Sequence, residues 1–186
     1  RYISVTGVQT CALRILLYTL AMLTQYEEIA LQVQRQYRSF TVDEFQDVSP
    51  VQYELLRAWL GQRDDLCVVG DPTQTIFSFT GASASHLEKF TNDFPNAARF
   101  ELTHSYRSTP QIISAANQVS APLPASVQLK ATNPPGPPIS VRGFESDDAE
   151  ALAVAGRIVE VIASGIAPRD IAVLMRMEAQ SESIEQ

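Results

Sequence analysis

Three short strand-like runs in this chain each lead into a polar group, and that recurrence constrains the fold more than any other feature. Residues 39–42 run into Asp43-Glu44, residues 66–69 into Gly70-Asp71, and residues 98–102 into Thr103-His-Ser-Tyr-Arg107. Runs of this length, rich in β-formers, predict strands. Leu66-Cys-Val-Val69 has no polar position, the pattern of a strand buried on both faces of a parallel sheet. Helical patterns separate the runs, and alternating strands and helices predict an α/β architecture with mostly parallel sheets. Ligands of open α/β sheets bind outside the carboxyl ends of the strands. The three polar groups are therefore expected to face one common site.

Other elements follow from local chemistry. Residues 16–37 predict one or two helices, with apolar positions at helical spacing and few breakers. Ser49 reads as an N-cap with Pro50 at the first helical position, opening a helix that stops at Gly61. Further helices are expected around residues 85–92, from Thr109-Pro110 to about Val119, and over residues 147–164. Asp147, Asp148 and Glu150 would form the acidic first turn of the last of these, favoured by its dipole. Strands are expected at residues 139–143 and 171–174. Six of the eleven prolines lie between residues 121 and 138, which predicts an irregular stretch.

Composition narrows the function classes. With 45% hydrophobic and 19% charged residues, the chain has the balance of a folded globular protein. A net charge of -7 argues against bulk wrapping of DNA but leaves room for a narrow single-strand track built on stacking. Two distant cysteines, Cys11 and Cys67, make neither a disulfide framework nor a zinc site, which fits a reducing cytoplasm. The apolar run at residues 15–23 is too short for a membrane span. Val5-Thr-Gly-Val-Gln-Thr-Cys-Ala-Leu13 and the following Arg14-Ile15 resemble the translation of a common sequencing-adapter oligonucleotide, departing from it only at Arg14. Residues 1–15 are accordingly expected to be a non-native segment.

Phosphoryl transfer from a nucleotide needs a carboxylate for Mg²⁺ and a group that orients or deprotonates the attacking water. Asp43 and Glu44, adjacent at a strand end, can divide that labour. Arg107 has the charge of an arginine finger, and Gln74 could report a γ-phosphate. By itself an acid pair after an apolar strand is most often a solvated turn. The combination says more. Val42-Asp-Glu-Phe-Gln-Asp47 resembles the Walker B motif of UvrD/Rep/PcrA-type superfamily 1 helicases. Val68-Val-Gly-Asp-Pro-Thr-Gln-Thr-Ile-Phe-Ser-Phe-Thr-Gly-Ala82 resembles their third motif and Tyr106-Arg-Ser-Thr109 their fourth, in the same order and at fitting intervals.

The resemblance implies partial RecA-like motor domains, with residues 16–105 from the end of the first and residues 106–186 from the start of the second. It implies that Asp43 organises Mg²⁺ and that Glu44 is the general base. Gln74 would contact the γ-phosphate of ATP, Tyr106 would stack on the adenine, and Arg107 would reach the γ-phosphate. Phe77 and Phe79 would stack on single-stranded DNA bases, and Thr80 would stand on the DNA side where many relatives have arginine. Single-stranded DNA and duplex junctions would be the substrates, with 3′-to-5′ translocation in a cytoplasmic repair or recombination protein.

Bland readings accompany these. Phe77 and Phe79 alternate as core strand residues would, Cys67 reads as a buried inert hydrophobe, and Trp59 as core. His86 and His104 lack metal-ligand spacing. The sequence GxxxxGK[ST], whose amides cradle phosphates, does not occur here, so this chain alone is expected not to hydrolyse ATP at a useful rate. Two other functions stand beside the helicase: a non-catalytic module binding single-stranded DNA or a protein, and a metal-dependent nuclease using Asp43, Glu44 and Asp71.

Overall fold

The computed structural model describes residues 5–75, 83–123, 125–177 and 180–185. The chain divides into two compact units, residues 1–136 and 137–186.

In the first unit, α1 (Val5–Gln25) runs unbroken through the adapter-like residues, and α2 (Glu27–Gln36) follows. Both lie against α3 (Pro50–Leu60). Helix α3 starts as its sequence demands, because Ser49 and Gln52 form a capping box and Pro50 fills the first turn. It ends at Gly61, where φ is +67° and a Cβ would lie 2.8 Å from the Gln34 side chain. Only glycine meets both conditions cheaply. Beyond it, the Arg63 guanidinium donates to the carbonyls of Tyr37, Arg38, Trp59 and Leu60 at 2.7–3.2 Å. One side chain thus satisfies orphan carbonyls at the end of α3 and fixes the approach to β1.

Strands β1 (Phe40–Val42) and β2 (Leu66–Val68) pair in parallel, with Phe40 opposite Leu66 and Val42 opposite Val68. One face of this ribbon packs on the core formed by Phe45, Tyr53 and Leu56. Phe45 is fully enclosed, with Tyr53 and Phe90 meeting its ring edge-on. The other face is open. Cys67 is exposed and Val69 is largely so, which corrects the expectation of a strand buried on both faces and of a buried cysteine. Trp59 is half-buried and stacked on Phe40, with ring centroids 6.1 Å apart.

Helices α4 (Ser85–Glu88) and α5 (Phe90–Asp93) replace the single helix expected around residues 85–92. Residues 98–102 form no strand, and Phe100 and Leu102 are exposed. The strand lies further on, where β3 (His104–Ser105) pairs in parallel with β4 (Lys130–Ala131) in a separate two-stranded sheet. Between them runs α6 (Pro110–Ser120). Asn117 on α6 clamps the chain before β4: its Nδ2 donates to the Leu129 carbonyl and its Oδ1 accepts the Leu129 amide, both at 2.9 Å.

The second unit holds α7 (Asp147–Ala163) and α8 (Gln180–Glu185), which pack together. Ser146 caps α7 by accepting the Ala149 amide, and Asp147, Asp148 and Glu150 make the expected acidic first turn. The strands expected at residues 139–143 and 171–174 are not formed, and Val141 and Leu174 are exposed. A strand persists only with a lateral partner for its amides and carbonyls. Neither segment has one among the described residues.

Candidate functional site

Parallel pairing puts the carboxyl ends of β1 and β2 side by side, and the chain beyond each is tied to the other. The Val69 amide donates to the Val42 carbonyl at 2.8 Å, and the Phe45 amide donates to the Val69 carbonyl at 2.9 Å. Asp43 and Glu44 sit at the turn this creates. Glu44 adopts φ +51°, ψ +42°, a left-handed conformation uncommon for a residue with a Cβ. Its amide donates to Asp43 Oδ1 at 2.9 Å, which occupies one carboxylate oxygen of Asp43. Strained backbone of this kind persists only where surrounding contacts hold it.

Those contacts centre on Gln46, which is 1% exposed. Its Nε2 donates to Glu44 Oε2 at 2.6 Å, and its Oε1 accepts the Asp71 amide at 3.0 Å. Gly70 admits this amide: a Cβ there would stand 2.6 Å from Gln46 Oε1 and 3.1 Å from the Phe45 nitrogen. Gln46 falls inside the Walker B-like stretch of residues 42–47, but its bridging role is not legible there, because its second partner lies 25 residues away.

Asp71 caps the short turn Pro72–Gln74. Its Oδ1 accepts from the Thr73 amide and hydroxyl, and its Oδ2 accepts from Gln74 Nε2 at 2.8 Å. Burial works against the charge on Asp71, but the bonds donated by Gln74 and Thr73 together outweigh it and hold the carboxyl below its usual range. Both oxygens are thus committed to its own loop. Among the described residues no three His, Cys, Asp or Glu side chains form a metal-binding group, so Asp43, Glu44 and Asp71 do not assemble a nuclease-like centre.

The structure therefore joins Glu44 to Gln74 by an unbroken chain of contacts through Gln46 and Asp71. It does not bring Tyr106 and Arg107 into that chain. Both follow β3, both are exposed, and the Tyr106 carbonyl accepts from Asn133 Nδ2 at 3.2 Å. No hydrogen bond or ion pair among the described residues links either side chain to Asp43, Glu44 or Gln74. The expected DNA-stacking residues Phe77 and Phe79, and Thr80 beside them, lie outside the described residues. His86 stacks on Tyr53 at 4.2 Å between ring centroids, and the Tyr53 hydroxyl donates to Asp93. These contacts bind α3 to α4 and α5, with no role in the site.

An α/β unit of short parallel strands with an acid pair at a strand end is of the RecA-like motor-domain type. Residues 12–95 match the UvrD/REP helicase N-terminal domain, and residues 100–186 match the UvrD-like helicase C-terminal domain. The chain belongs to the UvrD/Rep family of superfamily 1 helicases. It is 46% identical to the ATP-dependent DNA helicase UvrD2 of Mycobacterium tuberculosis (strain ATCC 25618 / H37Rv), over 92% of this chain and 25% of the relative. It is 35% identical to UvrD1 of Mycobacterium leprae (strain TN), over 90% of this chain and 23% of that protein. It is 34% identical to PcrA of Bacillus subtilis (strain 168), over 92% and 24% respectively. The chain spans about a quarter of the length of these curated relatives.

Proposed function

We propose that this chain is part of an ATP-dependent DNA helicase, contributing half of the ATP site from the carboxyl ends of β1 and β2. The observation that carries the proposal is the shared edge where Asp43 and Glu44 meet the loop that positions Gln74. In hydrolysis of ATP a water oxygen bonds to the γ-phosphorus as the bond to the β–γ bridging oxygen breaks, giving ADP and phosphate. Glu44 takes the proton of that water, held by Gln46 so that a carboxylate oxygen stays available. Gln74, restrained by Asp71, meets the γ-phosphate, and Arg107 offsets charge in the transition state.

The donor set suits Mg²⁺, which binds one or two carboxylates together with substrate phosphates and waters. Asp43 is an exposed carboxylate with only one oxygen taken by its neighbour's amide. Mg²⁺ would supply neutralisation of phosphate charge there. Tyr106, exposed after β3, suits stacking on adenine, and Phe77, Phe79 and Thr80 would supply DNA contacts, the two aromatic rings by stacking on single-stranded bases. Residues 16–105 would belong to the first motor domain and residues 106–186 to the second, with residues 1–15 a non-native segment. Movement 3′ to 5′ on single-stranded DNA toward duplex junctions, in cytoplasmic repair or recombination, completes the reading. Among the described residues no helix is long and apolar enough to cross a membrane.

The test is DNA-stimulated ATP hydrolysis by the full-length protein containing this segment. Glu44→Gln is expected to remove about 100-fold or more of the rate while ATP still binds. A Glu44→Gln protein that hydrolyses ATP at the unsubstituted rate would sink the proposal.

A further inference from the structure

We infer that Gln46 is a positioning residue for ATP hydrolysis, holding the Glu44 carboxylate in register with the Asp71–Gln74 loop. The inference rests on the function proposed above and adds a residue to it. Glutamine carries one donor and one acceptor group at the end of the same side chain, and here each has a separate assignment. The donor meets Glu44 Oε2 at 2.6 Å, and the acceptor meets the Asp71 amide at 3.0 Å. Glu44 is left-handed and lies two residues beyond a three-residue strand, and among the described hydrogen bonds Gln46 is the one partner of its carboxylate.

Gln46, by contrast, is fixed by its surroundings. It is enclosed, it lies between the fully buried Phe45 and the ribbon edge, and Gly70 leaves no slack beside its oxygen. A shift of the β2 loop pulls on the Gln46 oxygen and is passed to Glu44 through the opposite end of one rigid amide plane. Because Asp71 also holds Gln74, displacement of Gln74 by a bound phosphate has a direct route to the proposed base. No other side chain among the described hydrogen bonds contacts both loops.

Two substitutions separate this role from simple support of the fold. Gln46→Met keeps the length and loses both bonds. Gln46→Glu keeps the shape and the acceptor for the Asp71 amide, but presents a second carboxylate to Glu44 in place of the donor. In the full-length protein both are expected to lower DNA-stimulated kcat for ATP by about 10- to 100-fold, with KM for ATP changed by less than about threefold. In a Glu44→Gln background, adding Gln46→Met is expected to cost less than about twofold further, since a residue acting through Glu44 has nothing left to position.

Circular dichroism and thermal melting of each variant establish that it is folded. Should Gln46→Met fail to fold, the near-isosteric Gln46→Glu carries the test. A folded Gln46→Glu protein with unchanged kcat would overturn the inference, as would losses that multiply fully with Glu44→Gln. If Glu44→Gln alone leaves the rate intact, the proposed base is wrong and this role falls with it. Full loss in Glu44→Gln beside normal turnover in both Gln46 variants would instead leave the function standing and remove only the positioning role.

Discussion

The edge of β1 and β2 and the stretch from residue 137 onward carry similar sequence patterns and end very differently. Both contain short runs of β-formers flanked by helices. At the first, Phe40–Val42 finds Leu66–Val68, α3 covers one face, and the loops beyond the strands lock together through Gln46. In the second, the runs at residues 139–143 and 171–174 stay unpaired, with Val141 90% and Leu174 94% exposed. Ala151 is the only residue of α7 that is buried. A strand-like pattern is thus a capacity for pairing. It becomes structure only where another strand lies alongside and a helix covers the apolar side, and the site's fixed geometry is confined to the place where both happened.

The largest expected effect is at the centre of the first region. Phe45→Ala removes a fully enclosed ring and is expected to cost about 3–5 kcal/mol in urea unfolding followed by tryptophan fluorescence of Trp59. A cost no larger than that of an exposed substitution would mean the core around Phe45 is loose in solution. Gly70→Ala comes next, because the added Cβ must displace Gln46 or Phe45; about 1–3 kcal/mol is expected. Backbone amide shifts at Glu44 and Asp71 should move with it in an NMR spectrum. If they stay put, the two loops are not coupled through this amide.

A third test sharpens the comparison through pH. Burial, followed by the bond to Asp93, raises the Tyr53 phenol from 10.0 to about 12. The folded state therefore favours the protonated form more strongly than the unfolded state does. That stability is fully present below pH 10 and is lost as pH rises through about 12. Ultraviolet titration should show a late phenol that is lost in Tyr53→Phe, and a Tyr53→Phe protein with the same late phenol would contradict the assignment. The smallest effect belongs to the second region. Val141→Ser and Leu174→Ser are each expected to change stability by less than about 0.5 kcal/mol. A clear loss on either would show that these runs are covered in solution and that the contrast drawn above is false.

Local chemistry explains what was legible beforehand. The start of α3 at Ser49–Pro50, its stop at Gly61 and the acidic opening of α7 each depend on neighbours within a turn or so of chain. Asp43 and Glu44 were legible as a strand-end pair for the same reason, and the helicase-like stretches that frame them are contiguous in sequence. The strand placed at residues 98–102, by contrast, lies at His104–Ser105, because its partner Lys130–Ala131 sits beyond α6 and pairs at that register. Cys67 looked buried because its run is wholly apolar, yet whether one face or two is covered depends on what packs there.

By itself, then, the amino-acid sequence determined the α/β alternation, the limits of α3, the start of α7 and the acid pair at the end of β1, since each is set by spacing, caps and breakers within a few residues. Tertiary structure alone decided which runs became strands, which face of the ribbon closed, and that Gln46 stands between Glu44 and Asp71. Those outcomes depend on groups 25 residues or more apart being brought within 3.0 Å, a distance only folding can set.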